Sequence, residues 1–209
     1  MRVFRSSLLL AGLLAVSQPL AAQTDDGSWM VRVRALSLTA ANKSDAIPSL
    51  SVAADKITVS DKIFPEIDIS YFFTKRIAAE LVLTYPQKHD VELNDTKIGT
   101  FYQLPPTLLA QYHFLPTGVI RPYVGAGVNF TLITKDEISV TGVGPLTLSD
   151  ASVGAAGQVG VDVRVRPGQF LNLDVKKVMI GSDVKAGGNK VSQVHVDPWL
   201  ISVGYGVRF

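Results

Sequence analysis

The sequence predicts an all-β protein, an eight-stranded antiparallel up-and-down transmembrane β-barrel. Three observations carry this. Apolar residues recur at every second position through most of the chain, the connections between these segments alternate short and long, and beyond the first residues no stretch approaches the ~20 apolar residues of a spanning helix. The 209 residues suit one domain. A mean hydropathy of +0.25 with 47% hydrophobic residues is too apolar for a typical soluble domain. The chain has no cysteine, which removes thiolate metal sites, cysteine nucleophiles and a disulfide scaffold.

The first element is a targeting segment. Arg2 and Arg5 precede an apolar run over residues 8–16, followed by Pro19 and the small residues Ala21 and Ala22. This is the pattern of a secretory signal peptide, so residues 1–22 are assigned to it and residues 23–209 to the barrel. Without Arg2 and Arg5 the 20 basic residues become 18, matching the 18 acidic ones, and the net charge falls from +2 to zero. No basic surplus remains for a nucleic-acid partner.

The strands follow in order. Trp29, Val31, Val33 and Ala35 alternate with Arg32 and Arg34; Ile67, Ile69, Tyr71 and Phe73 with Glu66, Asp68 and Ser70. A third strand sets Ala79, Leu81, Leu83 and Tyr85 against Glu80 and Thr84, and a fourth sets Leu108, Ala110, Tyr112 and Phe114 against Gln111 and His113. The fifth places Val124, Ala126, Val128 and Phe130 opposite Tyr123, Gly125, Gly127 and Asn129. In the sixth, Val153, Ala155, Val159, Val161 and Val163 oppose Ser152, Gln158, Asp162 and Arg164; in the seventh, Leu171, Leu173 and Val175 oppose Asn172, Asp174 and Lys176. The eighth alternates Trp199, Ile201, Val203, Tyr205, Val207 and Phe209 with Ser202, Gly204, Gly206 and Arg208. Tight turns join strands two to three, four to five and six to seven, whereas residues 39–63, 86–98, 135–150 and 181–196 are expected to be long loops at the opposite end.

A secreted lipocalin-like carrier would also show eight alternating strands, with its apolar face turned inward. Glycine and serine on the non-apolar faces suit a narrow lumen better than a soluble exterior, and aromatics near the strand ends suit bilayer interfaces. The charged face is therefore assigned to the lumen: Arg32, Arg34, Glu66, Asp68, Glu80, Asp162, Arg164, Asp174, Lys176 and Arg208. Five acids and five bases are expected to pair there. About eight strands leave an interior that side chains fill, which excludes a wide porin.

Several segments resemble one family. The run Leu104-Pro105-Pro106-Thr107-Leu108-Leu109, the block Arg121-Pro122-Tyr123-Val124-Gly125-Ala126-Gly127-Val128-Asn129, and Ile69-Ser70-Tyr71-Phe72-Phe73-Thr74 are similar to the outer membrane protein W (OmpW) family over essentially the whole mature chain. The C-terminal Tyr205, Val207 and Phe209 resemble the signal by which such barrels are recognised for insertion by the barrel-assembly machinery. The resemblance implies a monomer in the Gram-negative outer membrane, among lipid and lipopolysaccharide, without a cofactor. It also implies a passive route for small hydrophobic molecules through a narrow channel with a lateral opening. Ile47, Leu50, Val52, Ile57, Val59, Ile138, Val140, Val143, Leu146 and Leu148 are unusually apolar for loops. They either line a vestibule or belong to strands that extend past the membrane and pack together. Pro105 and Pro106 cannot donate ladder hydrogen bonds and mark either a lateral opening or a plain bulge. A surface barrel whose loops bind bacteriocins or phage is the alternative function. His89, His113 and His195 show no spacing that brings a nucleophile, base and orienting acid together, so no catalytic or metal site is expected.

Overall fold

A computed structural model describes residues 27–47, 52–140 and 144–209. The signal-peptide assignment, Leu50 and Val143 lie outside them. The chain forms β1 (Trp29–Thr39), β2 (Lys43–Ser44), β3 (Ile57–Val59), β4 (Lys62–Phe72), β5 (Ile77–Leu83), β6 (Gln87–Leu93), β7 (Thr96–Leu104) and β8 (Thr107–His113). It continues as β9 (Ile120–Val140), β10 (Gly144–Leu148), β11 (Ala151–Arg166), β12 (Gln169–Val178), β13 (Gly181–Ala186), β14 (Asn189–His195) and β15 (Trp199–Arg208).

The lower wall runs β1, β4, β5, β8, β9, β11, β12, β15 and back to β1, all antiparallel, so the eight-stranded sheet closes on itself. Closure pairs the backbone along these ladders, as a hydrocarbon environment requires. An 11-residue strand such as β1 rises about 36 Å and, tilted as barrel strands are, covers about 25 Å of membrane. Exposed apolar residues ring this wall, with Trp29, Tyr71, Phe73, Tyr112, Phe114, Tyr205 and Phe209 at the end near the termini and Tyr85, Phe130 and Trp199 higher up.

The expected long loops are largely strand. A collar above the wall runs β3, β6, β7, β9, β10, β13, β14, β2. Its two ends meet where Val59 N donates to Asn42 Oδ1 at 2.7 Å and Ile57 N donates to Ser44 Oγ at 3.3 Å. Asn94 and Asp95, both at positive φ, turn β6 into β7 in two residues, and Gly187 and Gly188 do the same between β13 and β14. The expectation failed because the strands exchange faces as they leave the membrane. In β9, Val128, Phe130 and Leu132 point out while Asn129 and Thr131 point in; further up, Ile133 and Ile138 are buried while Lys135 and Glu137 are exposed. A polar outer face looks like a loop when an apolar one is sought.

Candidate functional site

The lumen of the lower wall is closed by a charged plug built on β1. Arg32 and Arg34 are successive inward positions, and their register partners on β4 are Asp68 and Glu66. On the other side they face Gly206 and Gly204 of β15. A Cβ on Gly206 would lie 2.9 Å from Arg32 Cγ, and one on Gly204 2.7 Å from Arg34 Cγ, so these glycines make room for the arginine stems. Gly160 likewise yields its space to the Tyr123 ring.

Arg32 donates side-on to Asp162, Nε to Oδ1 at 3.1 Å and Nη2 to Oδ2 at 2.7 Å. Its Nη1 reaches Asp68 at 3.1 Å, Ser70 Oγ at 2.8 Å and Glu80 at 3.0 Å. Arg34 donates to Asn172 Oδ1 at 2.8 Å and Glu66 Oε1 at 3.0 Å. Lys176 Nζ sits 2.8 Å from Glu66 and 2.9 Å from Asp174. Neutral groups add further hydrogen bonds. Tyr123 Oη donates to Asp174 at 2.7 Å, and Gln158 Nε2 bridges Glu80 and Asp174, each at 2.8 Å. Gln111 Nε2 donates to Glu80 at 2.8 Å and to Gln158 at 2.9 Å.

Eight of the ten charges expected in the lumen meet here, three cations against five carboxylates rather than an even match. Arg208 lies lower, its guanidinium 3.7 Å from the Phe72 ring centre and its Nε donating to Gly27 O. Arg164 is only half-buried, at the register irregularity near the end of β11. Ser70, Gln111, Tyr123, Gln158 and Asn172 were missed as members of the network. Their period-two placement on lumen faces was the available signal.

Above the plug the lumen turns apolar. A narrow cavity of about 30 Å³ is lined by Ile57, Val59, Val91, Phe101, Ile133, Ile138, Leu146, Leu148, Ile180, Val184, Val194 and Val196, with Gln103 and Ser182 as its polar members. Room for one or two waters at most makes it a shaft rather than an aqueous pore. Of the residues expected at a vestibule, Ile57, Val59, Ile138, Leu146 and Leu148 line it, Ile47 and Val52 belong to the same buried cluster, and Val140 packs against that cluster. A second cavity of about 20 Å³ lies below, between Gln103 and the plug residues Glu66 and Lys176. Gln103 and Ile180 border both cavities.

Beside this second cavity the wall is split. Pairing of β4 with β5 ends at Ile67 opposite Leu83, and pairing of β3 with β6 resumes at Val59 opposite Val91, with Ser60 N donating to Asp90 O at 3.2 Å. Between these points residues 61–66 and 84–89 have no ladder partners across the interface. Pro65 and Pro86 stand on opposite banks, and neither can donate. An outer depression lined by Pro65, Ile67, Leu83, Thr84 and Tyr85 lies at the lower end of the split, and Thr84 borders both it and the inner cavity. His89 bolts the upper end, with Nδ1 3.1 Å from Ser60 O.

Pro105 and Pro106 lie one strand interface away. Toward β9 the register is unbroken across them, from Leu104 opposite Leu132 to Thr107 opposite Asn129. Toward β5 and β6 it slips by one residue, from Val82 opposite Thr107 to Gln87 opposite Gln103, which is a bulge. Pro106 O accepts from Phe130 N of β9 at 2.9 Å, and Asn129 Nδ2 donates from inside to Pro105 O at 3.2 Å and Pro106 O at 3.3 Å.

The three histidines are dispersed. His113 faces the lumen between Phe72 and Tyr123, its ring centre 4.9 and 5.0 Å from theirs, while His89 sits in the collar and His195 lies 3.9 Å from Asp197. The outward residues of the collar strands β6 and β7, Lys88, Asp90 and Lys97, are charged, which places His89 above the hydrocarbon. Burial pushes the His89 pKa down and keeps the ring neutral. On the outer face Lys97, 2.7 Å away, holds the Asp90 carboxyl below its ordinary range. Among the described residues no three His, Asp or Glu side chains converge as a metal site.

A closed antiparallel barrel with a lipid-facing apolar band, two aromatic girdles and a charged interior defines an outer-membrane β-barrel protein. The OmpW family model matches residues 25–209, and the chain belongs to that family. It is 39% identical over 187 residues to an uncharacterised outer-membrane protein of Sinorhizobium fredii, covering 87% of this chain and 80% of that one. Outer membrane protein W of Escherichia coli is 36% identical over 152 residues, 68% of this chain and 71% of its own. Among solved structures, OprG from Pseudomonas aeruginosa superposes with a TM-score of 0.75 at 25% identity, covering 90% of this chain and 98% of that one. The Escherichia coli protein W structure superposes at 0.63 with 28% identity, covering 88% and 98%. The location is therefore the Gram-negative outer membrane.

Proposed function

We propose that this barrel gives small hydrophobic molecules a passive route into the outer membrane, entering the collar from outside and leaving sideways through the split. One observation carries the reading: an apolar shaft ends on a densely ion-paired charged plug, beside the longest unpaired stretch of the lower wall. An apolar solute cannot descend through five buried carboxylates and three cations without shedding all favourable contact. The adjoining bank offers Thr84, Pro65 and Tyr85, and beyond them lipid. In this account the collar residues Ile47, Val52, Ile57, Val59, Ile138, Val140, Leu146 and Leu148 form or brace the entrance. Pro105 and Pro106 loosen the neighbouring interface, and Tyr205, Val207 and Phe209 serve insertion by the assembly machinery.

The test uses cells lacking the chain and cells complemented with it, supplied with a labelled aliphatic solute. Uptake should rise on complementation. It should fall again when Pro65→Cys and Tyr85→Cys, placed opposite each other across the split in a chain without cysteine, are bridged by a short bis-maleimide. Uptake equal in deletion and complemented cells would overturn the conduit and favour a surface-interaction barrel. Uptake undiminished by the bridge would overturn the lateral exit.

A further inference from the structure

Two buried polar atoms on the route have no hydrogen-bond partner: Gln103 Oε1 and Thr84 Oγ1. Gln103 borders both the shaft and the cavity beneath it, and Thr84 borders that cavity and the outer depression. Each orphan therefore stands at a threshold between successive spaces. The orientation of the Gln103 amide follows from its neighbours. Ser60 O can only accept, so His89 Nδ1, 3.1 Å away, carries the ring proton. The neutral ring then leaves Nε2 as an acceptor, and Gln103 Nε2 at 3.0 Å must donate to it. That fixes Oε1 on the other side, buried and unsatisfied within a side chain only 1% exposed. A buried acceptor without a donor is costly, and a ligand bringing a proton relieves the cost.

We infer that the cavity between Gln103 and Thr84 receives the hydroxyl end of a neutral aliphatic molecule, whose proton is donated first to Gln103 Oε1 and then shared with Thr84 Oγ1. This deepens the conduit reading and rests on it. A hydroxyl both donates and accepts, which matches an acceptor at the first threshold and a threonine at the second. A carboxylate would set oxygen lone pairs against Oε1. An ammonium would shed its water in the almost wholly apolar shaft before reaching that cavity.

The isomers 1-decanol and 1-methoxynonane share one formula, but only the alcohol can donate. Chain-dependent uptake, measured as complemented minus deletion cells carrying the full-length chain, should favour the alcohol on the order of 5-fold, one neutral hydrogen bond's worth. Gln103→Met should bring that ratio to about one. In the lipid-reconstituted protein, the labelled Gln103 side-chain carbonyl should shift downfield in carbon NMR with 1-decanol and not with the ether. Equal chain-dependent uptake of both isomers by the unaltered protein, or an unchanged ratio in Gln103→Met, overturns this inference and leaves the conduit standing. Absence of chain-dependent uptake of either isomer overturns both. Should Gln103→Met fail to assemble, Thr84→Val, nearly isosteric, takes its place and should lower the ratio; the ratio and carbonyl shift of the unaltered protein decide without any variant.

Discussion

At the scale of single residues, the plug shows how a barrel can hold ions in its core. Burying charges is unfavourable unless geometry and extra hydrogen bonds compensate, and here Arg32 alone satisfies three carboxylates and a serine. Arg32→Leu should therefore leave Asp68, Glu80 and Asp162 short of a cation and destabilise the barrel by about 3–5 kcal/mol. The check is the urea midpoint of the folded band in lipid vesicles, with an unchanged midpoint counting against the plug as a stabilising unit. His89 gives a second expectation. Its folded pKa is depressed by burial, so its contribution is complete above the unfolded value of about 6.5 and is lost as pH falls below it. Hydrogen-exchange protection of β6 should drop between pH 7.5 and pH 5 while that of β12 holds, and equal changes in both would refute the assignment.

At the scale of strands, the membrane wall was legible in the sequence and the collar was not. Each of the eight wall strands announced itself by apolar residues at alternate positions, because lipid outside and charge inside impose opposite demands on the two faces. Above the bilayer those demands reverse. Gln87, His89 and Val91 turn inward and Lys88, Asp90 and Glu92 outward, so a search for one outward apolar face loses the strand where it changes environment. The split was hidden for another reason. Pro105-Pro106 is conspicuous as a pair, whereas Pro65 and Pro86 are far apart in sequence and matter only because the fold sets them on opposite banks of the split. Replacing both with valine restores two donors, and solute uptake in complemented cells should fall several-fold; uptake at the original level would show that the prolines do not hold the split open.

At the scale of the whole molecule, a closed ladder below and a packed collar above predict a barrel that keeps its form in detergent. Unheated protein should migrate differently from boiled protein on a gel, and identical mobility would contradict closure. The plug also predicts ion conductance in planar bilayers far below that of an open porin, and large steady currents would require a path around Arg32 and Arg34. The split has a further mechanical consequence. Residue pairs below it and above it keep the same offset, from Ile67 opposite Leu83 to Val59 opposite Val91. Its banks can meet or part without either strand sliding past the other, so the shear of the barrel stays constant through the motion. The opening behaves as a buttonhole in a stiff fabric, and a sealed variant would keep the tilt, diameter and strand stagger of the original.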